Sequence, residues 1–196
     1  MSSEIKANKL SPATGTDVTL GDSGDTFTIP SGATLTNSGT ATGFGKVLQV
    51  VYQKYTTEES TTTASFIATG LTKSITPTSS SSEIIVSVTT GFSNDGSNPP
   101  GIIMYRGGSP ASNLIGVGAT GNRTNYTAWQ FGNSQYLTGS LSFLMVDSPA
   151  TTSATTYTLY WRNYSGTTYM NRSYNTTDDW YLGNSPSFMT LIEVAT

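Results

Sequence analysis

Residues 156–174, TYTLYWRNYSGTTYMNRSY, decide the fold class. In an extended chain successive side chains point to opposite faces, so Tyr157, Leu159 and Trp161 share one side and Thr158, Tyr160 and Arg162 the other. The period is two throughout, and Tyr164-Ser165-Gly166 supplies a turn, so the stretch reads as a β-hairpin. In such a strand the aromatics of one side fill a core while those of the other meet solvent.

The same pattern recurs outward from this point. Val47–Tyr55, Thr62–Ala68, Leu71–Ile75, Glu83–Val88, Gly101–Arg106, Leu114–Ala119, Tyr126–Phe131, Leu141–Val146, Thr168–Tyr174 and Ser187–Val194 all read as short strands, divided by turns rich in Gly, Pro, Ser and Asn. Strands at this spacing predict an all-β sandwich or barrel, and residues 46–196 have the size of a jelly-roll domain.

Composition agrees with strands and turns. Ser and Thr make up roughly a third of the 196 residues, whereas charged residues are 11% and hydrophobic residues 35%. Low charge separates the chain from ordinary disordered sequences. Nine Lys plus Arg, unclustered in a chain of net charge −3, offer no footprint for a phosphate backbone, so nucleic acid is not an expected partner. No 18-residue apolar run occurs and residues 1–10 lack a secretory apolar region, which predicts neither membrane insertion nor that export route. With no cysteine, stability must come from packing and assembly.

The N-terminal quarter reads differently. Residues 1–17 are polar and form a plausible attachment tail. From 18 to 39 apolar residues recur as pairs two apart, Val18/Leu20, Phe27/Ile29 and Ala33/Leu35, followed by turns at Gly21-Asp22-Ser23-Gly24, Pro30-Ser31-Gly32 and Asn37-Ser38-Gly39. Strands so short cannot bury an apolar edge alone. Val18, Leu20, Phe27, Ile29 and Leu35 are therefore expected in the core of an intertwined β-ribbon shared by several copies. A Gly-rich link, residues 39–45, marks the boundary: 1–45 for the attachment segment and ribbon, 46–196 for the sandwich.

Catalytic chemistry has little to work with. Gly21-Asp22-Ser23-Gly24 resembles the nucleophile loop of trypsin-like proteases, but a serine needs a base and the chain has no histidine. The absence of His and Cys also removes the common zinc sites, leaving calcium at Asp95 in SNDGSNPPG as the one metal candidate. Asp178 and Asp179 could not form a glycosidase pair on a strand, where they would face opposite ways; in a loop that objection lapses. No catalytic residue, resident metal or cofactor is predicted.

The richest stretch, Tyr157–Tyr181, carries eight aromatics among Asn, Arg, Thr and Asp. Rings beside amides and charges suit a carbohydrate- or protein-binding surface, which makes Tyr160, Arg162, Tyr164, Tyr174, Trp180 and Tyr181 the ligand-surface candidates. Arg106, Arg123, Arg162 and Arg172 lack neighbouring carboxylates in sequence and could anchor interchain pairs or meet an anionic sugar. The five Asn-x-Ser/Thr sequons follow from composition and carry no weight.

KLSPATGTDVTLGDSGDTFTIPSGATLTNSGTATGFG (9–45), GLTKSITPTSSSSEIIVSV (70–88), RGGSPASNLIGVG (106–118), FLMVDSPATTSATTYTLYWR (143–162) and MNRSYNTTDDWYLGNSPSFMTLIEVA (170–195) together resemble a family of tailed-bacteriophage virion proteins, many from phages of marine bacteria and cyanobacteria. The resemblance implies a homotrimeric tail fibre or similar appendage, assembled in the host cytoplasm, joined to other virion proteins through residues 1–17 and presenting a distal sandwich to host-surface polysaccharide. A short chain of this kind could instead be a head fibre or capsid decoration protein, and more remotely a polysaccharide depolymerase. Read with its Met1 start, it is expected to be a short complete fibre.

Overall fold

The computed structural model describes residues 10–39, 47–95, 100–111, 121, 124–129, 139–180 and 182–195, Trp129 by its backbone alone. The chain divides into two compact units, Met1–Phe44 and Gly45–Thr196. The second is all-β. Its strands are β1 (Val47–Tyr55), β2 (Glu59–Thr61), β3 (Ile67–Ile75), β4 (Glu83–Asn94), β5 (Gly101–Arg106), β6 (Ser109–Pro110), β7 (Ala128–Trp129), β8 (Gly139–Asp147), β9 (Thr155–Arg162), β10 (Thr168–Met170) and β11 (Ser187–Val194).

Every pairing is antiparallel, and the strands form two sheets. In sheet A, the long β4 pairs with β8 along one edge; along its other edge it pairs first with β10, through Phe92–Asn94, and then with β11, through Glu83–Thr89. Beyond these lie β2 against β10 and β1 against β11. Sheet B has the order β3-β9-β5, with β6 and β7 also paired to β5.

The two sheets enclose one core, to which β9 gives Tyr157, Leu159 and Trp161, all at most 1% exposed. Ile84, Val86, Val88, Met189 and Leu191 oppose them from sheet A, while Leu71, Ile102 and Met104 complete sheet B. The alternation expected over 156–162 is therefore realised: Thr156, Thr158, Tyr160 and Arg162 face outward, partly exposed.

The hairpin is not. β9 pairs with β3 and β5 in sheet B, whereas β10 pairs with β2 and β4 in sheet A, so residues 163–167 carry the chain from one sheet to the other. No ladder joins β9 to β10; the crossing is held by backbone bonds, from the Asn163 amide to the Thr63 carbonyl at 2.7 Å and from the Asp95 amide to the Thr167 carbonyl at 3.1 Å, together with side chains. Asn94 donates to Asn163 Oδ1 (3.1 Å) and to Thr168 Oγ1 (2.7 Å), and the Asp95 carboxylate accepts from the Thr167 amide. The strand expected to reach Tyr174 stops at Met170 because Asn171 adopts φ 67°, a left-handed conformation that ends a ladder. Thr62–Phe66 is likewise not a strand; β2 ends at Thr61 and β3 begins at Ile67. The strand expected at 114–119 lies outside the described residues.

In the first unit the three turns fall where the sequence places them. The Asp25 amide donates to the Asp22 carbonyl at 3.0 Å, the Ala33 amide to that of Pro30 at 3.0 Å, and Asn37 brackets Gly39 with two hydrogen bonds. Ser23 belongs to the first of these turns and is exposed. The short strands are absent: residues 10–39 form none within the single chain, and Val18, Leu20, Phe27, Ile29 and Leu35 are 39–66% exposed.

Candidate functional site

β9 runs the length of sheet B, and its outward side chains build a graded surface. At the Thr155 end, hydroxyls pair across the strands: Ser74 with Thr156 at 2.6 Å and Thr72 with Thr158 at 2.7 Å. Next, the Tyr160 ring stacks on Tyr105, centroids 3.6 Å apart and planes 10° apart. At the far end the Arg162 guanidinium lies 4.9–5.3 Å from the ring centroids of Phe66, Tyr126 and Tyr164. It donates to Tyr126 Oη at 2.6 Å and to Thr124 Oγ1 at 2.9 Å. Among the described residues no carboxylate lies within ion-pair distance of it. A cation held over aromatic faces and bonded to hydroxyls keeps charge to offer a ligand.

Gly101 makes this cluster possible. A Cβ built there would sit 2.0 Å from Tyr126 Cε1, so only a residue without a side chain lets that ring lie against β5 beside Arg162.

The other candidates gather on the loop between β10 and β11. Tyr174 packs against Tyr169 at 5.7 Å, Arg172 stands 4.4 Å over the Tyr169 ring and pairs with Glu58 at 3.6 Å, and Trp180 is 93% exposed. Beside them lies a shallow depression of about 400 Å³ walled by Glu58, Arg172, Asn175, Asp178, Asp179 and Asn184. Asp178 and Asp179 are thus in a loop and line one hollow, so the objection that applies on a strand does not apply here. Tyr181 lies outside the described residues.

Both groups occupy the same end of the sandwich. Gln49, near the start of β1, bonds Thr76 and Glu193, while Gln53, further along, bonds Gly70 and Thr72. The Val47 end of β1 therefore meets the Ile75 end of β3. In β3, Ile75 pairs with Thr155 and Ile67 with Trp161. Hence Arg162 and its rings lie opposite the end at which the chain enters β1, and so does the β10–β11 loop, since Ser187 pairs with Tyr55. Sequence reasoning named Tyr160, Arg162 and Tyr164 but missed Phe66, Tyr105 and Tyr126, which come from other strands and loops.

Further polar residues are structural. Arg106 and Asp147 close the Val47 end, where Tyr157 also donates to Asp147. Burial first, then that hydrogen bond to a carboxylate, push the Tyr157 hydroxyl pKa up. Glu193 is fully buried; burial opposes its charge, but donors from Gln49 and Thr78 prevail and lower its pKa to about 2. Asp95, the calcium candidate, accepts from the Thr167 amide through Oδ1, and among the described residues no group of three His, Cys, Asp or Glu could hold a metal. Arg123 lies outside the described residues.

No protein-family model matches this sequence, and no curated protein matches it either.

Proposed function

We propose that the chain is a short homotrimeric fibre of a tailed-phage virion, anchored to other virion proteins through residues 1–17 and contacting host-surface glycan with the far end of its sandwich. The carrying observation is the opposition of ends: the polypeptide enters β1 at Val47, and the aromatic cluster around Arg162 sits at the other end. A tethered module needs its contact surface away from its tether.

The strand order supports a jelly roll. With β2, β6 and β10 as additions, the rows β1-β11-β4-β8 and β3-β9-β5-β7, in which β7 is only two residues long, share eight strands between two face-to-face sheets, the arrangement of double-sheet virion and lectin domains. Exposed apolar side chains at Val18, Leu20, Phe27, Ile29 and Leu35 support a ribbon completed by sister chains. A guanidinium set among rings, with no carboxylate at ion-pair distance among the described residues, favours acidic sugars over neutral ones.

Full-length protein applied to an array of bacterial surface glycans tests this reading. Binding to acidic glycans, lost in Tyr160→Ala and in Arg162→Gln while both stay folded and lose no more than about 2 kcal/mol of stability, is the expected result. Wild-type protein that ignores every acidic glycan, or variants that bind undiminished, would remove the glycan assignment. Labelling on particles that marks the capsid shell rather than an appendage would replace the tail fibre with a decoration protein.

A further inference from the structure

The outward faces of the two sheets differ in chemistry. Sheet B presents hydroxyls, stacked tyrosines and a guanidinium, as described above. On sheet A, Val50, Ile192, Ile85 and Val146 are successive register partners across β1, β11, β4 and β8, and all four point away from the core. The next row is Tyr52, Thr190, Ser87 and Leu144. Val50 is 53% exposed, Tyr52 67%, Leu144 66% and Val146 46%. An apolar row thus crosses four strands in the open, where a solvated antiparallel sheet would alternate to polar residues.

Among the described residues, charge is confined to the ends of this face: Lys54 lies one row beyond Tyr52, and Glu83 one row beyond Ile85 on the other side. Their opposite signs leave the face without net charge, and its centre is charge-free, the composition of an interface core inside a polar rim.

We propose that this face is covered by another copy of the same chain, so that the globular unit contributes its own self-contact in addition to the N-terminal ribbon. The proposal rests on the homo-oligomeric reading above. With strands about 4.8 Å apart and about 3.3 Å per residue, four strands and four rows span about 500 Å², so two such faces remove about 1,000 Å² from water, where specific interfaces begin. A partner must bring an equally apolar, uncharged surface, and a copy of this chain brings one; the same face on both sides makes a two-fold contact, so it joins chains of two different trimers rather than chains within one.

Two measurements on the full-length chain test it. Sedimentation of wild type and of Val50→Lys/Leu144→Lys reads assembly; both positions are outward and exposed, so the core is untouched. A roughly 10- to 100-fold weaker association of the variant is expected from burying unpaired charge in the contact. The chain has no cysteine, so Tyr52→Cys gives a single reporter, with Thr152→Cys as the exposed comparison. Thiol labelling at position 52 should be roughly tenfold slower than at position 152 in the assembled protein. A wild type that stays oligomeric, while the lysine variant associates equally well and the thiol at position 52 labels as fast as the one at position 152, overturns the proposal but leaves the ribbon trimer standing. A wild type monomeric at all concentrations overturns both.

Discussion

Arg106 Nη1 donates to both carboxylate oxygens of Asp147, at 2.7 and 2.8 Å, and so joins the last residue of β5 in sheet B to the last residue of β8 in sheet A. Asp147 is fully buried and also receives the Tyr157 hydroxyl at 2.6 Å. Removing the carboxylate leaves a cation and a hydroxyl without their acceptor. Asp147→Ala should cost about 3 kcal/mol and lower the thermal midpoint by roughly 6–12 °C, read by calorimetry. A loss below about 1 kcal/mol would mean that solvent replaces the carboxylate at little cost.

Asn171 plugs the place where β10 ends and β11 has not begun. Its side-chain amide donates to the carbonyls of Tyr55 and Thr57, its Oδ1 accepts from Ser187, its backbone amide donates to Gly91, and its carbonyl accepts from Ser185. Asn171→Gly keeps the φ of 67° but loses the side-chain bonds, for an expected cost of about 2 kcal/mol in urea titrations. Asn171→Ala should cost about 1 kcal/mol more, since a Cβ disfavours that conformation. Equal losses in the two variants would show that the backbone relaxes away from it.

Glu193 sets an acid limit. Its folded pKa is about 2, below the ordinary carboxylate value of 4.5, so between these values the unfolded chain binds more protons than the folded one. Its contribution is complete above about pH 5 and is lost as the pH falls toward about 2. Unfolding midpoints followed from about pH 6 to about pH 2 should fall more steeply for wild type than for Glu193→Gln. Parallel curves would assign the acid sensitivity to other groups.

Gly101→Ala separates the surface from the fold. The added methyl displaces the Tyr126 ring, a movable side chain, and breaks its bond to Arg162 without entering the core. Glycan binding should drop roughly tenfold, the loss expected for one such contact, while stability changes by less than about 1 kcal/mol. Undiminished binding would place the contact elsewhere on that end.

What can be read from the residues follows from how local each signal is. The alternation from Thr156 to Arg162 reports burial of neighbouring side chains, and β9 obeys it. The Gly, Asp, Pro and Asn residues of 21–39 fix turns within four residues, and those turns form. Which strand pairs with which depends on contacts far apart in sequence, so the turn at Tyr164–Gly166 has the residues of a hairpin loop and yet is a crossing between sheets. The left-handed Asn171 is invisible without its five partners. For the same reason the sequence marks Arg162 as a surface residue, but not as the centre of rings contributed by Phe66 and Tyr126.

The pairing of β1 with β11 has a mechanical side. Tension between a tether at Val47 and a load on the Arg162 end draws β1 lengthwise along its partner, from Val47 beside Val194 to Tyr55 beside Ser187. Rungs strained in this direction share the force and fail together, rather than unzipping singly. With the anchoring proposed above, pulling would load this strand pair in shear rather than peel it one residue at a time.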